Sequence, residues 1–454
     1  MRRKIFAVLL AAMMGSSLLA ACGSSGQTGG SAGSGSGSGS GDGKETINLW
    51  TFTDEIPGMV DVFLKNNPDF AAKYEVKSTI IATTEGAYQP ALDQALVSGG
   101  KDAPDIYAAE AAFVLKYTQG DMASFAASYS DLGIDVNTMI EEAQIAPYTI
   151  DIGSRDGDVV ALGYQATGGA LIYRRSLAKD VWGTDDPDEV KAKVGPGWDK
   201  YFEAAAQMHE KGYAIVSGIG DIWHAVENSS DKGWVVDGKL YIDPKREALL
   251  DYAKEMYEKG YMNDTQDWQD AWFADMGGIG AQPVFSFFGP AWLINYVMAD
   301  NAGDTFGDWA VTEPPVGFFW GGTWLLANKD TKKAEAVAQL IEWITLNSTD
   351  DGLQYHWANG TLNGEGGTKD SVASATVMEK SDGSLEFLGG QNMFDVFVPA
   401  NEFANGTNLT QYDESINQYW RDQVSEYARS NKSRDEAIAT FKQMVADNLD
   451  VTVN

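Results

Sequence analysis

Apolar residues along this chain follow two periodicities, and the two alternate from the first folded segment onward. Short continuous apolar runs predict buried strands, whereas apolar residues spaced three and four apart predict helices with one buried face. The N-terminal part predicts strands at 46–50, 74–82 and 105–109, with helices around 59–64 and 88–97 between them. Strands alternating with helices indicate an α/β fold, in which parallel-rich sheets carry helices on both faces.

The second half of the chain continues this pattern with clear signals at the ends of its helices. Asp243 and Pro244 begin a predicted helix that Gly260 ends, and Ser433 with Glu436 forms a capping box for the last helix. Further elements are predicted as strand-like runs on either side of 165–169, a short strand at 284–288 and a helix at 332–346.

Residues 317–328 combine three kinds of backbone. Phe318 to Trp320 is an aromatic run, and Gly321-Gly322 after it permits positive φ or close backbone approach. A buried strand is predicted next, at 323–327. An aromatic side chain held against a glycine pair at a strand entrance suits a site at the edge of an α/β sheet. Core packing beside a strand-entry turn is the alternative, and Trp324 within the strand is assigned to the core.

The N-terminal segment has the features of an export signal followed by a tether. Arg2-Arg3-Lys4 precedes an apolar run that is too short to span a bilayer, which predicts a signal peptide over 1–21. Leu19-Ala20-Ala21-Cys22 resembles the lipobox of bacterial lipoproteins, which implies cleavage before Cys22 and lipid attachment to its sulfur. An ordinary signal with an incidental cysteine is the alternative. Residues 22–43 are otherwise almost all Gly and Ser, so they predict a flexible linker with a coil dimension of roughly 25 Å.

Bulk composition narrows the classes of protein and partner. The chain carries a formal net charge of −32 that is spread along its length, which argues against nucleic acid and anionic lipid as partners. Cys22 is the single cysteine, so the sequence predicts neither a disulfide framework nor a cysteine metal site. The roughly 410 residues after the tether are too many for one small core and predict two lobes.

Catalytic motifs are missing from the sequence. The three histidines are far apart, and no HExxH, G-x-S-x-G or phosphate loop occurs. Adjacent acids such as Asp54-Glu55 are expected by chance among 65 acidic residues. Nothing selects two carboxylates that face one bond at about 5–10 Å, as a glycosidase needs. The sequence therefore predicts a protein that is not an enzyme and has no metal and no cofactor.

The 14 tryptophans carry more information, because many stand among Gly, Pro and Asp rather than at helical spacing. A flat indole covers the apolar C–H face of a sugar ring, while Asp, Glu, Asn and Gln bind its hydroxyls. Aromatic platforms beside carboxylates and amides are what a neutral oligosaccharide site needs, and core packing is the alternative at each position. Trp234, Trp309 and Trp343 are assigned to the core.

Several segments, in a fixed order, resemble the solute-binding lipoproteins of bacterial ABC sugar importers (solute-binding protein family 1), similar to maltodextrin-binding proteins. The segments are the lipobox with its tether, 47–50, 103–106, 170–173, 289–292, and 320–322 with the helix after it. The resemblance implies a periplasmic-binding-protein-like fold of type II style, with two α/β lobes closing like a hinge around a cleft. It implies these parts: an N-terminal lobe of 44–164 and 321–363, a C-terminal lobe of 165–320 and 364–454, and crossovers near 165–169 and 318–322.

The resemblance also implies which residues bind the ligand. The loop after the first strand supplies polar contacts, which maps onto Thr53, Asp54 and Glu55. The loop after the third strand maps onto Glu110, and the Gly-Pro-x-Trp tryptophan, a stacking platform, maps onto Trp292. Further candidates that match the family less closely are Trp223, Trp272, Trp320, Gln391 and Asn392. Thr167-Gly168-Gly169 stands where maltodextrin binders carry an acid, which argues against maltose as the ligand.

The sequence therefore predicts an extracellular receptor that is lipid-anchored at Cys22 on the outer face of the cytoplasmic membrane. The receptor is predicted to act as a monomer, to capture an oligosaccharide between its lobes and to deliver it to the transmembrane permease of an ABC importer. A peptide- or amino-acid-binding lipoprotein with the same fold is the first alternative, and it would require an arginine or lysine in the cleft. A surface glycoside hydrolase is the second.

Overall fold

The computed structural model describes residues 43–83, 86–364 and 366–453. The predicted signal peptide, Cys22 and nearly all of the linker lie outside the described residues. The strands are β1 Glu45–Thr51, β2 Tyr74–Ile80, β3 Ile106–Glu110, β4 Ser154–Arg155, β5 Asp158–Val159, β6 Ala161–Gly163, β7 Ala170–Arg174, β8 Val235–Val236, β9 Lys239–Leu240, β10 Ser286–Gly289, β11 Trp309–Thr312 and β12 Thr323–Ala327.

Helices connect and cover these strands, so the predicted α/β class is confirmed. The helices are α1 Glu55–Asn66, α2 Pro68–Lys73, α3 Tyr88–Ser98, α4 Val114–Thr118, α5 Val136–Ala143, α6 Pro147–Gly153, α7 Arg175–Trp182, α8 Pro187–Val194, α9 Trp198–Glu210, α10 Gly220–Asn228, α11 Pro244–Glu247, α12 Leu249–Lys259, α13 Asp270–Met276, α14 Ala291–Leu293, α15 Ala299–Asn301, α16 Ala334–Ile341, α17 Leu353–Ala358, α18 Ala375–Glu379, α19 Phe394–Phe403, α20 Asp413–Ala428 and α21 Arg434–Asn448. π-helical turns extend α14 and α16 at Ile294–Met298 and Glu342–Leu346.

The first sheet has the strand order β2-β1-β3-β12-β6. Alternate residues of a strand point to opposite faces, and both faces of this sheet are covered. Leu49 and Leu325 pack with α1 and α16 on one face, whereas Tyr107 and Leu326 pack with α3 and α4 on the other. The strand β1 pairs in parallel with β2 and β3, but β12 runs antiparallel to β3 and β6.

The second sheet has the order β10-β7-β11, and both of its strand pairs are antiparallel. Single parallel bridges, Ala214 with Val284 and Val216 with Met262, extend it beyond β10. Strand directions are thus more mixed than the parallel-rich sheets that the sequence predicts. The reason is that strands such as β12 enter a sheet from the opposite lobe rather than through a helical crossover, which would keep neighbouring strands parallel.

The predicted helix ends are partly confirmed. Ser433 and Glu436 form the capping box of α21, and Gly260 ends α12 with a left-handed φ of 68°. Asp243 caps a helix as predicted, with its carboxylate accepting from the Lys245 N–H at 2.9 Å. That helix is short, however, and a second one begins at Leu249.

The two sheets are joined by two crossing segments that pair with each other. The chain leaves the first sheet after β6 and enters the second at β7, and it returns between β11 and β12. The Gly169 N–H donates to the Phe318 carbonyl at 2.8 Å, and the Trp320 N–H donates to the Thr167 carbonyl at 3.1 Å. A Cβ on Gly169 would lie 2.0 Å from the Phe318 ring, so glycine is required for this close approach.

We call the first sheet with its packed helices the first lobe, and the second sheet with its packed helices the second lobe. Strands of the first sheet fall within 44–164 and 321–363, and those of the second within 165–320. The C-terminal helices pack on the second lobe, where Trp420 and Phe441 join its core. Within the described residues, no helix is both long enough and apolar enough to cross a membrane.

Candidate functional site

A cavity of about 180 Å³ opens between the two lobes, beside the second crossing segment. The first lobe contributes Glu110, the last residue of β3, with Ala111 and Ala112 after it, so this wall stands at the carboxyl end of a sheet strand. The crossing segment contributes Phe319 to Gly321. The second lobe contributes residues of α10 and of the first turns of α20. A molecule in this cavity would therefore touch both lobes at once.

Glu110 is the carboxyl group that the first lobe brings to the cavity. Its Oε2 accepts a hydrogen bond from the Ala112 N–H at 2.8 Å. Burial raises the pKa of Glu110 to about 7, against the opposing effect of the backbone hydrogen bond, and the nearby charge of Glu414 adds to the rise. Among the described residues, no lysine or arginine forms an ion pair with Glu110. The site thus contains a desolvated carboxyl group without a counter-ion.

Trp320 stacks on a histidine of the second lobe. The Trp320 and His224 rings lie 4.7 Å apart at an interplanar angle of 23°. The Nδ1 atom of His224 lies 3.5 Å from Oε2 of Glu227, whose Oε1 accepts from the Asn417 amide at 2.5 Å. Burial alone would raise the pKa of Glu227, but His224, Arg246 and Asn417 together hold it below its ordinary value. This chain of contacts fixes the orientation of the His224 imidazole.

Trp292 and Trp268 complete an aromatic cluster around Trp320. The Trp292 indole N–H donates to the Trp320 carbonyl at 3.1 Å, and the two rings lie 4.9 Å apart. Trp268 lies parallel to Trp292 with 6.1 Å between the ring centroids and 10° between the planes. Gly321 is the contact point with the first lobe, because a Cβ there would lie 3.6 Å from Trp292 Nε1 and 3.7 Å from Glu110 Oε1. The structure therefore brings together three predicted residues, Glu110, Trp292 and Trp320.

Asp413 lies at the start of α20 and is only 5% exposed. One carboxylate oxygen accepts from the Thr410 hydroxyl, and the other has no hydrogen-bond partner among the described residues. Burial raises the pKa of Asp413 to about 7, which Arg246 opposes and Glu227 reinforces. An unpartnered oxygen in the wall of a cavity is a group that a ligand can satisfy.

The loop after the first strand places a second acidic group between the lobes. Burial raises the pKa of Glu55 to about 7 despite a hydrogen bond with Tyr164. The charge of Glu55 raises the pKa of Asp370, and both carboxyl groups raise the pKa of Tyr296 on the second lobe. Asp370 is 1% exposed, with its own pKa raised to about 7 mainly by burial. Asp54 and Thr53 are exposed at the start of α1.

Two predicted tryptophans lie in the core of the second lobe. Trp223 and Trp272 are each 1% exposed, and the Trp272 indole N–H donates to Asp221 at 2.8 Å. Neither indole lines this cavity, although Trp223 borders the larger cavity described below. The residue beside Trp223 on α10, His224, points into the cavity instead, because successive helical residues are rotated by about 100°.

Gln391 and Asn392 stabilise a different part of the second lobe. The Gln391 amide accepts from the Val311 N–H at 2.9 Å and donates to the Val311 carbonyl at 2.8 Å, which completes the edge of β11. Asn392 accepts from the Phe394 N–H at 3.1 Å. Both side chains are occupied with backbone groups, and the structure does not bring them to the cavity.

Sequence reasoning missed four cavity residues and one aromatic neighbour. His224, Glu227, Asp413 and Asn417 come from two helices, and Trp268 comes from a loop in which its φ is 67°. The Trp-His pair at 223–224 was the one available signal. It marks the right segment but not which of the two residues faces the ligand.

A larger cavity of about 500 Å³ lies within the second lobe, between α10, α20 and the loop 264–269. It shares both helices with the smaller cavity, because Trp223 and Gln418 line the larger cavity and their neighbours His224 and Asn417 line the smaller. Arg421 holds Asp267 of the loop through contacts of 2.7 and 2.8 Å. Within the described residues, no group of three or more His, Cys, Asp or Glu side chains is arranged to hold a metal ion.

Comparison with known families identifies the class of protein. The family described as bacterial extracellular solute-binding protein matches residues 59–382, which is more than half of the chain. The chain therefore belongs to the bacterial extracellular solute-binding proteins. A comparison with curated protein sequences gave no match.

Solved structures of similar fold include three that cover nearly the whole folded part. A crystal structure of an extracellular solute-binding protein family 1 member has a TM-score of 0.73 at 20% identity, covering 89% of this chain and 99% of that one. The sugar-binding protein MalE from Xanthomonas citri has a TM-score of 0.67 at 17% identity, covering 88% of this chain and 96% of that one. A third structure is the galacto-N-biose-/lacto-N-biose I-binding protein of the ABC transporter from Bifidobacterium longum, in complex with lacto-N-biose. It has a TM-score of 0.64 at 14% identity, covering 91% of this chain and 99% of that one. At these identities the likeness concerns the fold.

Proposed function

We propose that this protein is the extracellular receptor of an ABC importer and that it binds an oligosaccharide between its two lobes. The observation that carries the proposal is the cavity in which Glu110 of the first lobe faces Trp320 and His224 beside the second lobe. Indole faces suit the C–H surface of a sugar ring, and the surrounding carboxylates and amides suit its hydroxyls. Structures of similar fold, among them the lacto-N-biose complex, support a saccharide ligand.

The proposed mechanism is closure of the lobes around the ligand. The two crossing segments serve as the hinge, with 44–164 and 321–363 moving against 165–320 and 364–454. A ligand that contacts both lobes only in the closed state favours that state by its extra contacts, and the loaded receptor then presents its ligand to the permease. Asp54 and Glu55, at the start of α1, would bind further sugar hydroxyls.

The larger cavity offers room for additional sugar units. Its walls continue those of the smaller cavity along α10 and α20, and Trp268 lies between it and the Trp292–Trp320 pair. We infer that an oligosaccharide extends from the smaller cavity into the larger one.

The composition of the cavity disfavours the alternative ligands. A peptide or amino acid presents a carboxylate, which needs a cation in the cleft. The described side chains that line the smaller cavity include no lysine and no arginine. Arg421 and Arg429 line the larger cavity, but they are paired with Asp267 and Asp264. We further propose that the protein acts without catalysis, as a binding protein. Release of products from a labelled oligosaccharide would contradict this.

Isothermal titration against a panel of oligosaccharides of different linkage and length tests the proposed function. We expect binding by at least one saccharide, and a loss of about tenfold or more in affinity on Trp320→Ala, which corresponds to about 1.4 kcal/mol. Trp182→Phe is the matched control, because Trp182 packs on Phe285 away from the cavity. Binding of no saccharide, or equal affinities of Trp320→Ala and the wild type, would sink the proposal.

We also propose that Cys22 carries a lipid that anchors the receptor at the outer face of the cytoplasmic membrane. The lipobox-like residues before Cys22 support this, as does the Gly/Ser tether, which would keep a loaded monomer near its permease. Expressed with its own signal, the wild type should fractionate with membranes and Cys22→Ser should not. Equal partitioning of the two would contradict the anchor.

A further inference from the structure

The smaller cavity carries an excess of negative charge. Glu110, Glu227 and Asp413 line it, and the one guanidinium close to them is that of Arg246. Arg246 is fully buried and donates to the carbonyls of Lys232 and Asn408 at 2.8 and 3.1 Å. Among the described residues, no ion pair within 4.0 Å joins Arg246 to any of the three acids. Because His224 also lies 3.5 Å from Glu227, the uncompensated carboxyl groups are Glu110 and Asp413, which form no ion pair among the described residues.

Asp413 adds an observation that is independent of the charge count. Asp413 is only 5% exposed, and one of its carboxylate oxygens has no hydrogen-bond partner among the described residues. A buried carboxylate oxygen without a donor is costly, and natural proteins keep such a group where a ligand satisfies it. Because Asp413 lines the cavity, the missing donor is expected to come from the molecule bound there.

The aromatic side chains beside these acids favour the same kind of donor. The face of an indole attracts a cation through its quadrupole, and the attraction grows where water is excluded. Trp320 lines the cavity together with Glu110 and Asp413, and Trp292 Nε1 lies close to the same crossing segment. Carboxylates and aromatic rings together are suited to binding a positively charged group.

A neutral hydroxyl satisfies this cavity less well than a cation does. A hydroxyl donates one hydrogen to one carboxylate and leaves the negative charges uncompensated in a medium of low dielectric constant. A protonated amine donates three hydrogens and neutralises one charge. An anionic sugar would be repelled. The cavity therefore discriminates among saccharides by the charge of a single substituent.

We propose that the ligand is an amine-bearing saccharide whose protonated amino group binds between Glu110 and Asp413. The inference rests on the proposed function, since it specifies the chemical class of the saccharide that the interlobe cavity receives. The sugar ring beside the amine would then contact Trp320, and His224 would donate to or accept from one of its hydroxyls.

Calorimetric titrations with matched sugars test this inference. The probes are glucosamine, galactosamine and a β-1,4-linked glucosamine trisaccharide, each paired with its hydroxyl counterpart and its N-acetyl counterpart. At pH 7.0 and low salt, where both the amine and the cavity carboxyl groups are substantially ionised, at least one amine is expected to bind about tenfold or more tightly than both counterparts, as for hydrogen bonds between charged groups. The preference should shrink in high salt because added ions screen the attraction.

Isosteric neutral variants locate the preference in the two proposed residues. Asp413→Asn and Glu110→Gln should each bring the affinity ratio of amine to hydroxyl sugar towards one. Asp61→Asn, which removes an exposed carboxylate on α1, should leave the ratio unchanged. Thermal melting checks that each variant is folded, and either cavity variant alone suffices for the comparison.

The outcomes separate this inference from the proposed function. Binding of neutral saccharides with no gain for any amine would overturn the inference and leave the proposed function intact. An amine preference that survives in both cavity variants would overturn it as well. Failure of every saccharide, charged or neutral, would overturn the proposed function itself.

Discussion

At the scale of single residues, four carboxyl groups between the lobes share one physical condition. Burial raises the pKa of each of them to about 7, and the four are Glu55, Glu110, Asp370 and Asp413. None of them gains enough from hydrogen bonds or neighbouring cations to offset its desolvation. Ionising these acids in the folded protein therefore costs stability.

This cost predicts how the stability of the unliganded protein depends on pH. A carboxyl group whose pKa is higher in the folded state binds its proton more tightly there, so its contribution is fully present below the unfolded pKa of about 4. The contribution is lost as the pH rises through about 7. The thermal unfolding midpoint should therefore decrease as the pH is raised from 5 to 8.

Replacing single carboxylates by amides tests whether the buried acids cause this pH dependence. Asp370→Asn should flatten the decline of the unfolding midpoint, whereas Asp61→Asn on the surface of α1 should not. A midpoint that rises from pH 5 to pH 8 would contradict the raised pKa values. The measurement needs only differential scanning calorimetry at low ionic strength.

Residue types and their order predict this site only in part. Sequence patterns mark Glu110, Trp292 and Trp320 because each lies at the end of a strand or close to a glycine. Trp223 and Trp272 carry equally suggestive contexts but turn into the core, where both are 1% exposed. Which face of a helix meets a cavity depends on packing partners distant in sequence, and that information is not local.

At the scale of elements, the paired crossing segments are held together by close packing around glycine. Gly168 bridges Phe319, and the Phe318 ring occupies the space where a side chain on Gly169 would stand. Phe318 is fully buried in the core of the second lobe, so the ring has no room to yield. The spacing of these segments is consequently set by the absence of one methyl group.

Gly169→Ala tests this packing. A Cβ placed 2.0 Å from the Phe318 ring forces the segments apart, and overpacking of this kind costs about 1–3 kcal/mol. Urea unfolding should show a lower midpoint for the variant. Gly58→Ala is the matched control, since Gly58 lies inside α1 with nothing within 4 Å of its Cβ position and should gain about 0.5–1 kcal/mol. A Gly169→Ala midpoint equal to that of the wild type would contradict the close approach.

Helix ends with local sequence signals are predicted well, whereas the pairing of strands in a sheet is not. The capping box of α21 and the end of α12 at Gly260 follow from their own residues. The antiparallel pairing of β12 with β3 and β6 does not, because it depends on where the chain returns after a whole lobe. Local chemistry fixes the type of an element, and long-range connectivity fixes the direction of its neighbours.

At the scale of the whole molecule, the placement of the cavity predicts a change of shape on binding. The proposed ligand would contact Glu110 on one lobe and His224 and Asp413 on the other, so it would favour the closed state. Small-angle scattering should therefore show a smaller radius of gyration when the best-binding saccharide of the panel is added at saturation. A Trp320→Ala protein at the same saccharide concentration should contract less, and an unchanged radius for the wild type would contradict closure.

The position of β12 in the first sheet has a consequence for how the chain is made and exported. β6 touches the sheet only through β12, and β3 is exposed along one edge until β12 arrives. Because β12 begins at Thr323, the whole second sheet must leave the ribosome or translocase before the first sheet can be completed. The first lobe therefore cannot complete its folding before the second lobe has emerged, and it does so only when β12 inserts between β3 and β6.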